Sequence, residues 1–170
     1  MKTVKIKIIL EDGRIMDAEL YPQLAPLSVE NFVNLVKQKY YDGLIFHRVI
    51  KGFMIQGGGF NIEMQEKEDL QPIKGEFSSN GWKDNLKLKH EQGVLSMART
   101  NDPNSATSQF FIVTGEAGFL DGQYATFGKL IGQKSLEVAR QIENVETISI
   151  DFYDDVPKTP VIIKTIELLY

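Results

Sequence analysis

Residues 46–58 read Phe46-His47-Arg48-Val49-Ile50-Lys51-Gly52-Phe53-Met54-Ile55-Gln56-Gly57-Gly58. The stretch is apolar and aromatic on both sides of Lys51-Gly52, a turn pair, so it predicts two short strands joined by a tight turn. One arginine stands inside this apolar run. Taken alone, Arg48 is a surface ion-pair residue; its neighbours decide whether it is more.

On the N-terminal side, Val4, Ile6, Ile8 and Leu10 alternate with Lys5 and Lys7, and Met16, Ala18 and Leu20 alternate with Asp17 and Glu19. This period of two around Asp12-Gly13 predicts a β-hairpin over 4–20. The period then changes. Val29, Phe32, Val33 and Val36 stand at i, i+3, i+4 and i+7, which predicts a helix over 28–40. Ser28 as N-cap or Pro26 as first helical residue would start it, with Glu30 near the positive end of its dipole.

On the C-terminal side, Gly57-Gly58-Gly59 opens a polar stretch to about Leu88. That is too long for a structureless loop, so part of it is expected to pack on the surface or line a site. Gly93–Ala98, Phe110–Thr114, a run from the Leu120-Asp121-Gly122 turn through Phe127, and Val161–Leu169 read as strands. Leu136, Ala139 and Ile142 predict a second helix between Gln133 and Glu143. Helices and strands do not alternate, which disfavours a doubly wound parallel sheet. A sheet closed on itself, with helices over its open ends, would remove the unpaired edges.

Composition narrows the chemistry. The 170 residues are expected to form one domain, 1–170, and 42% hydrophobic residues suffice for a core. Nineteen basic against 23 acidic residues give a net charge of −4, which argues against a nucleic-acid partner. Without cysteine there is no thiolate nucleophile and no disulfide; two histidines with no ligand spacing predict no metal site. No G-x-S-x-G elbow is present, and the triple glycine lacks a following Gly-Lys-Ser/Thr. Those glycines are expected to allow positive φ and close approach of a ligand's backbone. Glu63, Glu66, Glu68 and Asp69 read as a solvated face. No apolar run reaches signal-peptide or membrane-span length, so a cytoplasmic location is expected.

The stretch quoted first, Leu95-Ser96-Met97-Ala98-Arg99, and Ser105 through Phe111-Ile112 together resemble the cyclophilins, in the family's order and spacing. Ala25-Pro26 through Phe32, Phe119-Leu120-Asp121-Gly122 and Phe127-Gly128 extend the resemblance to nearly the whole chain. It implies a closed eight-stranded antiparallel β-barrel capped by two α-helices, and a peptidyl-prolyl cis–trans isomerase that assists folding without a cofactor. By position, Arg48 corresponds to the family's catalytic arginine and Gln56 to the glutamine that supports it. Phe53, Met54, Phe111 and Leu120 correspond to the proline pocket, and Ala98, Arg99 and Gln109 lie along the peptide groove. Phe119 and Tyr124 stand where the best-known eukaryotic members carry tryptophan and histidine. Phe119 has no indole N–H, so cyclosporin-type ligands are expected with reduced affinity. Gly59, Arg99, Phe119 and the insertion ending in Pro72-Ile73-Lys74-Gly75-Glu76 resemble the bacterial branch. The implied partners are proline-containing peptides and folded or unfolded client proteins, with no nucleic acid, no membrane and a monomeric state.

These residue types suit the reaction. Amide resonance imposes a barrier of ~18–20 kcal/mol, and a catalyst must bind the twisted amide better than either planar form. A guanidinium can donate to the prolyl nitrogen only once resonance is broken. His47 has no necessary role, because rotation transfers no proton. Phe46, Ile50, Phe110 and Ile112 are read as core residues, on the strand face opposite Arg48, Gln109 and Phe111. The rival reading is a proline-peptide binding module or chaperone with little catalysis, which could dispense with the arginine.

Overall fold

The N-terminal alternation folds as a hairpin. Strands β1 (Val4–Leu10) and β2 (Ile15–Leu20) pair antiparallel, with Ile6 opposite Ala18 and Ile8 opposite Met16, all buried. The computed structural model describes residues 2–67 and 69–169; Glu68, part of the predicted solvated face, lies outside them. The quoted stretch forms β3 (Arg48–Ile50) and β4 (Met54–Gly57), turning at Gly52 with φ of +77°. Strands β5 (Val94–Met97), β6 (Phe110–Val113) and β7 (Thr126–Leu130) follow. Two short strands, β8 (Thr147–Ile150) and β9 (Tyr153–Pro157), then form a separate hairpin, before β10 (Ile163–Leu169). Strands β8 and β9, in which only Val156 and Pro157 are buried, were not anticipated from the sequence.

Eight strands form one antiparallel sheet, in the order β10-β1-β2-β7-β5-β6-β4-β3, curled into a half-barrel. The expected closed barrel is corrected: among the described residues, no strand ladder joins β3 to β10. Strand β3 has only three residues, and it packs instead against β9. Pro160, just before the β10 edge, has no N–H to give a ladder. A bridge between Ile45 and Ile162 spans the seam, where Phe46 N donates to Val161 O at 3.0 Å and Ile163 N to Leu44 O at 2.8 Å.

Helix α1 (Pro26–Lys37) plugs the curl with Phe32. Its ring centroid lies 5.4 Å from Phe110 on β6 and 5.3 Å from Phe127 on β7. Such aromatic pairs add ~0.5–1.5 kcal/mol each beyond the area they bury. Helix α2 (Gln133–Glu143) buries Val138, Ala139 and Ile142, and its Ser135 hydroxyl accepts from Asp17 N at 2.8 Å. Both helices were legible from their periodicity, with α1 beginning at Pro26 and ending three residues before Tyr40.

The N-terminus of α1 is capped from far away. Ser28, one of the two expected starts, is not the N-cap; it is buried inside the first turn. Glu76 of the long insertion, only 3% exposed, accepts from Leu27 N at 3.1 Å and from Ser28 N at 2.7 Å. The Ser28 hydroxyl donates to the same carboxylate at 2.9 Å. The insertion is therefore part of the fold, with 3₁₀ turns at Ser78–Asn80 and Asp84–Lys87 and a buried Phe77. Trp82 fastens it too, through Nε1 donating to Leu24 O at 2.7 Å. Removing a helix cap costs ~0.5–2 kcal/mol, and orphaned buried donors raise the cost. Glu76→Ala should lower unfolding free energy in urea by about 2 kcal/mol; a change below about 0.5 kcal/mol would mean that water replaces the carboxylate.

Candidate functional site

The sheet has two apolar faces. Ile55, Phe110 and Ile112 enter the main core inside the curl. Met54, Val94, Phe111 and Val113 alternate with them and form a smaller cluster outside, joined by Phe53, Leu88, Leu120 and Tyr124. Phe46, Phe110 and Ile112 are core residues as read. Ile50 is not: it shares strand parity with Arg48 and packs on the outer cluster.

Register lines up the site. Arg48 pairs with Gln56, Gln56 with Phe111, and Phe111 with Ser96, a row across β3, β4, β6 and β5. Beside this row is a cavity of about 140 Å³. Phe53, Met54, Phe111 and Leu120 give it apolar walls; Arg48, Gln56, Ala98, Arg99 and Tyr124 complete the lining. The volume is well below the ~300–1,000 Å³ of drug-sized sites, so it suits one small side chain. A cleft of about 360 Å³ lies elsewhere, beside Lys89, Glu91, Gln92 and Glu116, among mainly polar surface groups without such an apolar grip.

Arg48 is exposed, and its Nη1 donates to Gln56 Oε1 at 3.4 Å. Gln56 Nε2 donates to Gln109 Oε1 at 3.0 Å, so both ends of the Gln56 amide are oriented. Gln109 lines an adjoining cavity of about 310 Å³ that shares Gln56, Ala98 and Arg99. A Cβ at Gly59 would collide with the Gln109 side chain, so glycine there gives that glutamine its room. The expectation of positive φ in the triple glycine holds at one position. A Cβ at Gly57 would meet Ile45 O at 2.7 Å, and one at Gly58 the Tyr41 ring at 2.8 Å. The close approach is to the chain's own core, and only Gly58, at +89°, has positive φ.

Arg99 turns its charge inward. Its guanidinium lies 4.8 Å from the Phe77 ring centroid and 4.5 Å from that of Tyr124. Nη1 donates to Thr100 O at 2.8 Å and Nη2 to Gln123 O at 2.6 Å. It thus ties the insertion to the cavity wall. Phe119 stands outside the cavity lining, 67% exposed, with its ring centroid 5.5 Å from Phe53.

Neither histidine was assigned this geometry from sequence. His90 is buried; Nδ1 lies 2.9 Å from Asp121 Oδ1 and Nε2 2.8 Å from Ser96 Oγ. The ring stacks on Phe111 at 5.8 Å and 15°. Serine, histidine and acid thus meet as in a hydrolase relay, but Ser96 is 0% exposed and no substrate can reach it. The set braces the cavity floor against the 119–124 segment. Burial lowers the His90 pKa, partly opposed by Asp121. His47 is lowered to about 4, by burial first and by the Arg48 charge second. No local pattern announces Arg99's stack on Phe77, the Glu76 cap on Leu27 and Ser28 or the bond from His90 to Asp121, because these partners lie 22 to 49 residues away.

Residues 4–168 match the model of the cyclophilin type peptidyl-prolyl cis-trans isomerase/CLD family, and the chain belongs to that family. It is 46% identical over 158 residues to a peptidyl-prolyl cis-trans isomerase of Acinetobacter baylyi, covering 90% of this chain and 79% of the relative. It is 41% identical over 150 residues to peptidyl-prolyl cis-trans isomerase B of Escherichia coli, covering 84% of this chain and 86% of the relative. The crystal structure of a Cryptosporidium parvum cyclophilin type isomerase superposes with a TM-score of 0.78 at 31% identity, covering 99% of both chains. A second structure of that protein, in the presence of the dipeptide Ala-Pro, gives 0.76 at 32% identity, covering 98% of this chain and 99% of that one. The chain is a peptidyl-prolyl cis–trans isomerase.

A histidine whose folded pKa lies below its unfolded value stabilises the fold above about pH 6.5, and the stabilisation is lost as pH falls toward the folded pKa. For His47 that window runs from 6.5 down to about 4. Urea midpoints measured across it should fall with pH, and less steeply in His47→Gln; parallel slopes would remove His47 from the account.

Proposed function

We propose that Arg48 accelerates rotation about Xaa–Pro bonds whose prolyl ring occupies the 140 Å³ cavity. The observation that carries this reading is one exposed guanidinium beside an apolar cavity, oriented by Gln56 at 3.4 Å. Phe53, Met54, Phe111 and Leu120 grip the ring and exclude water, which strengthens electrostatic interactions at the rim. The residue before proline turns while the ring is held. As resonance breaks, the prolyl nitrogen becomes pyramidal and regains its lone pair, and Arg48 donates to it. The interaction exists only near the twisted state, so it lowers the barrier rather than deepening the ground state. No bond is made or broken. A guanidinium remains charged over the working range, which suits this role better than an amine would.

The substrates are proline-containing peptides and client proteins, folded or unfolded, with assistance to folding as the outcome. The Ala-Pro dipeptide present with the Cryptosporidium parvum relative supports a site of this scale.

Loss of one preorganised donor costs ~10²–10³ in rate, so Arg48→Ala should lower kcat/KM by about that factor. Exchange NMR on a short Xaa–Pro peptide measures it, with circular dichroism to verify folding. If wild type binds the peptide and leaves exchange at the uncatalysed rate, the chain acts as a binding module and the mechanism above is wrong. At the rim, Phe119→Trp restores an indole N–H. A hydrogen bond worth ~0.5–1.5 kcal/mol should tighten cyclosporin-type ligands by up to about tenfold in a calorimetric titration.

A further inference from the structure

We propose that the β8–β9 hairpin is a docking arm, which binds a basic, apolar segment of another protein independently of proline recognition. Its tip is Asp151-Phe152, between Ile150 and its pairing partner Tyr153. Phe152 is 100% exposed, and Ile148 and Tyr153 on the same hairpin are 38% and 39% exposed. A fully exposed phenyl ring stabilises nothing in the isolated chain and leaves its whole apolar area to a partner. No other large apolar residue among the described residues is exposed to this degree.

The arm is held firmly at its base. Val156 is 2% exposed, and β9 packs against β3. The Tyr153 ring centroid lies 5.2 Å from that of buried Phe60. Lys158 N donates to Glu146 O at 2.8 Å, and Ser149 Oγ to Asp154 Oδ1 at 2.8 Å across the two strands. A ring presented on an ordered hairpin loses little conformational freedom on binding.

Charge decides the partner. Residues 147–157 contain Asp151, Asp154 and Asp155 and no lysine or arginine. None of the three makes an ion pair among the described residues, and neighbouring Lys158 faces Glu146 at 3.9 Å. Asp151 and Asp154 are exposed. An aromatic anchor flanked by unneutralised carboxylates fits an apolar patch rimmed by lysine or arginine. The same carboxylates repel nucleic-acid phosphates and anionic lipid headgroups. None of Asp151, Phe152, Asp154 and Asp155 lines the proline cavity or the cavity beside it, so the arm is a surface apart from the peptide groove.

The probe is the proline-free peptide Gly-Lys-Leu-Lys-Lys-Leu-Leu-Lys-Gly, with glutamate for every lysine or serine for every leucine as controls. Amide shifts of the wild-type protein should move at 147–157, and the probe should bind about tenfold more tightly than either control. Phe152→Ser removes no packed side chain and should weaken binding about tenfold. Asp151→Asn combined with Asp154→Asn should weaken it about fivefold and remove most of its salt dependence. Asparagine tolerates the φ of +53° at position 151, so the turn is kept. Turnover of a short Xaa–Pro peptide should be unchanged in both variants, and that peptide should not displace the probe. Absence of binding, equal binding of the lysine and glutamate peptides, or displacement by the Xaa–Pro peptide would each overturn the arm. So would binding that persists in Phe152→Ser. Sedimentation of the protein alone as a dimer that Phe152→Ser dissociates would make a second copy the occupant, and pelleting with phosphatidylcholine vesicles would make it a lipid surface. Either result overturns the proposal.

Discussion

Backbone pairing puts Arg48, Gln56, Phe111 and Ser96 in one row across four strands, and the rest of the site is built around that row. Strand side chains alternate with a period of two, so a slip of one residue would exchange the faces of a strand completely. In β4 it would turn Met54 and Gln56 inward and Ile55 out. The inner face prevents this. Ile55, Phe110 and Ile112 are all 0% exposed, and a one-residue slip would lose their burial. The main core thus holds the outer cluster in place. Site precision here is a by-product of core packing on the reverse side of the same strands.

Side chains from distant loops then close the cavity. Leu120 and Tyr124 come from an irregular segment that no ladder positions. His90 holds it through Asp121, and Arg99 holds it through Gln123 O and the Tyr124 ring. The same Arg99 stacks on Phe77, and the neighbouring Glu76 caps α1. Cavity wall, insertion and helix start are consequently one connected structure. Arg99, through Nη1 and Nη2, and the buried carboxylate of Glu76 each bond to partners that also order a loop.

The half-barrel's open seam has a related consequence. Because β3 ends one side of the sheet, its outer flank is available to the β8–β9 hairpin. That hairpin brings Tyr153 to within ring contact of Phe60, on the wall of the 310 Å³ cavity. A fully closed ladder would leave no such flank.

The sequence by itself determined what depends on neighbours in the chain. The period of two in 4–20, the 3.6-residue period in both helices and the turn at Lys51-Gly52 are local, and each formed where its pattern lies. The motif blocks also marked the family, and the resemblance named all nine residues that line the 140 Å³ cavity. Parity was legible too, and ignoring it misplaced Ile50. Tertiary structure decided everything that depends on which strands meet. It set the open seam, the long-range cap by Glu76 and the inward turn of Arg99. It also turned the triple glycine toward the core and Tyr153 toward the groove. These contacts join residues tens of positions apart, and their energies are collected only when the whole sheet has curled. No period in the chain encodes them.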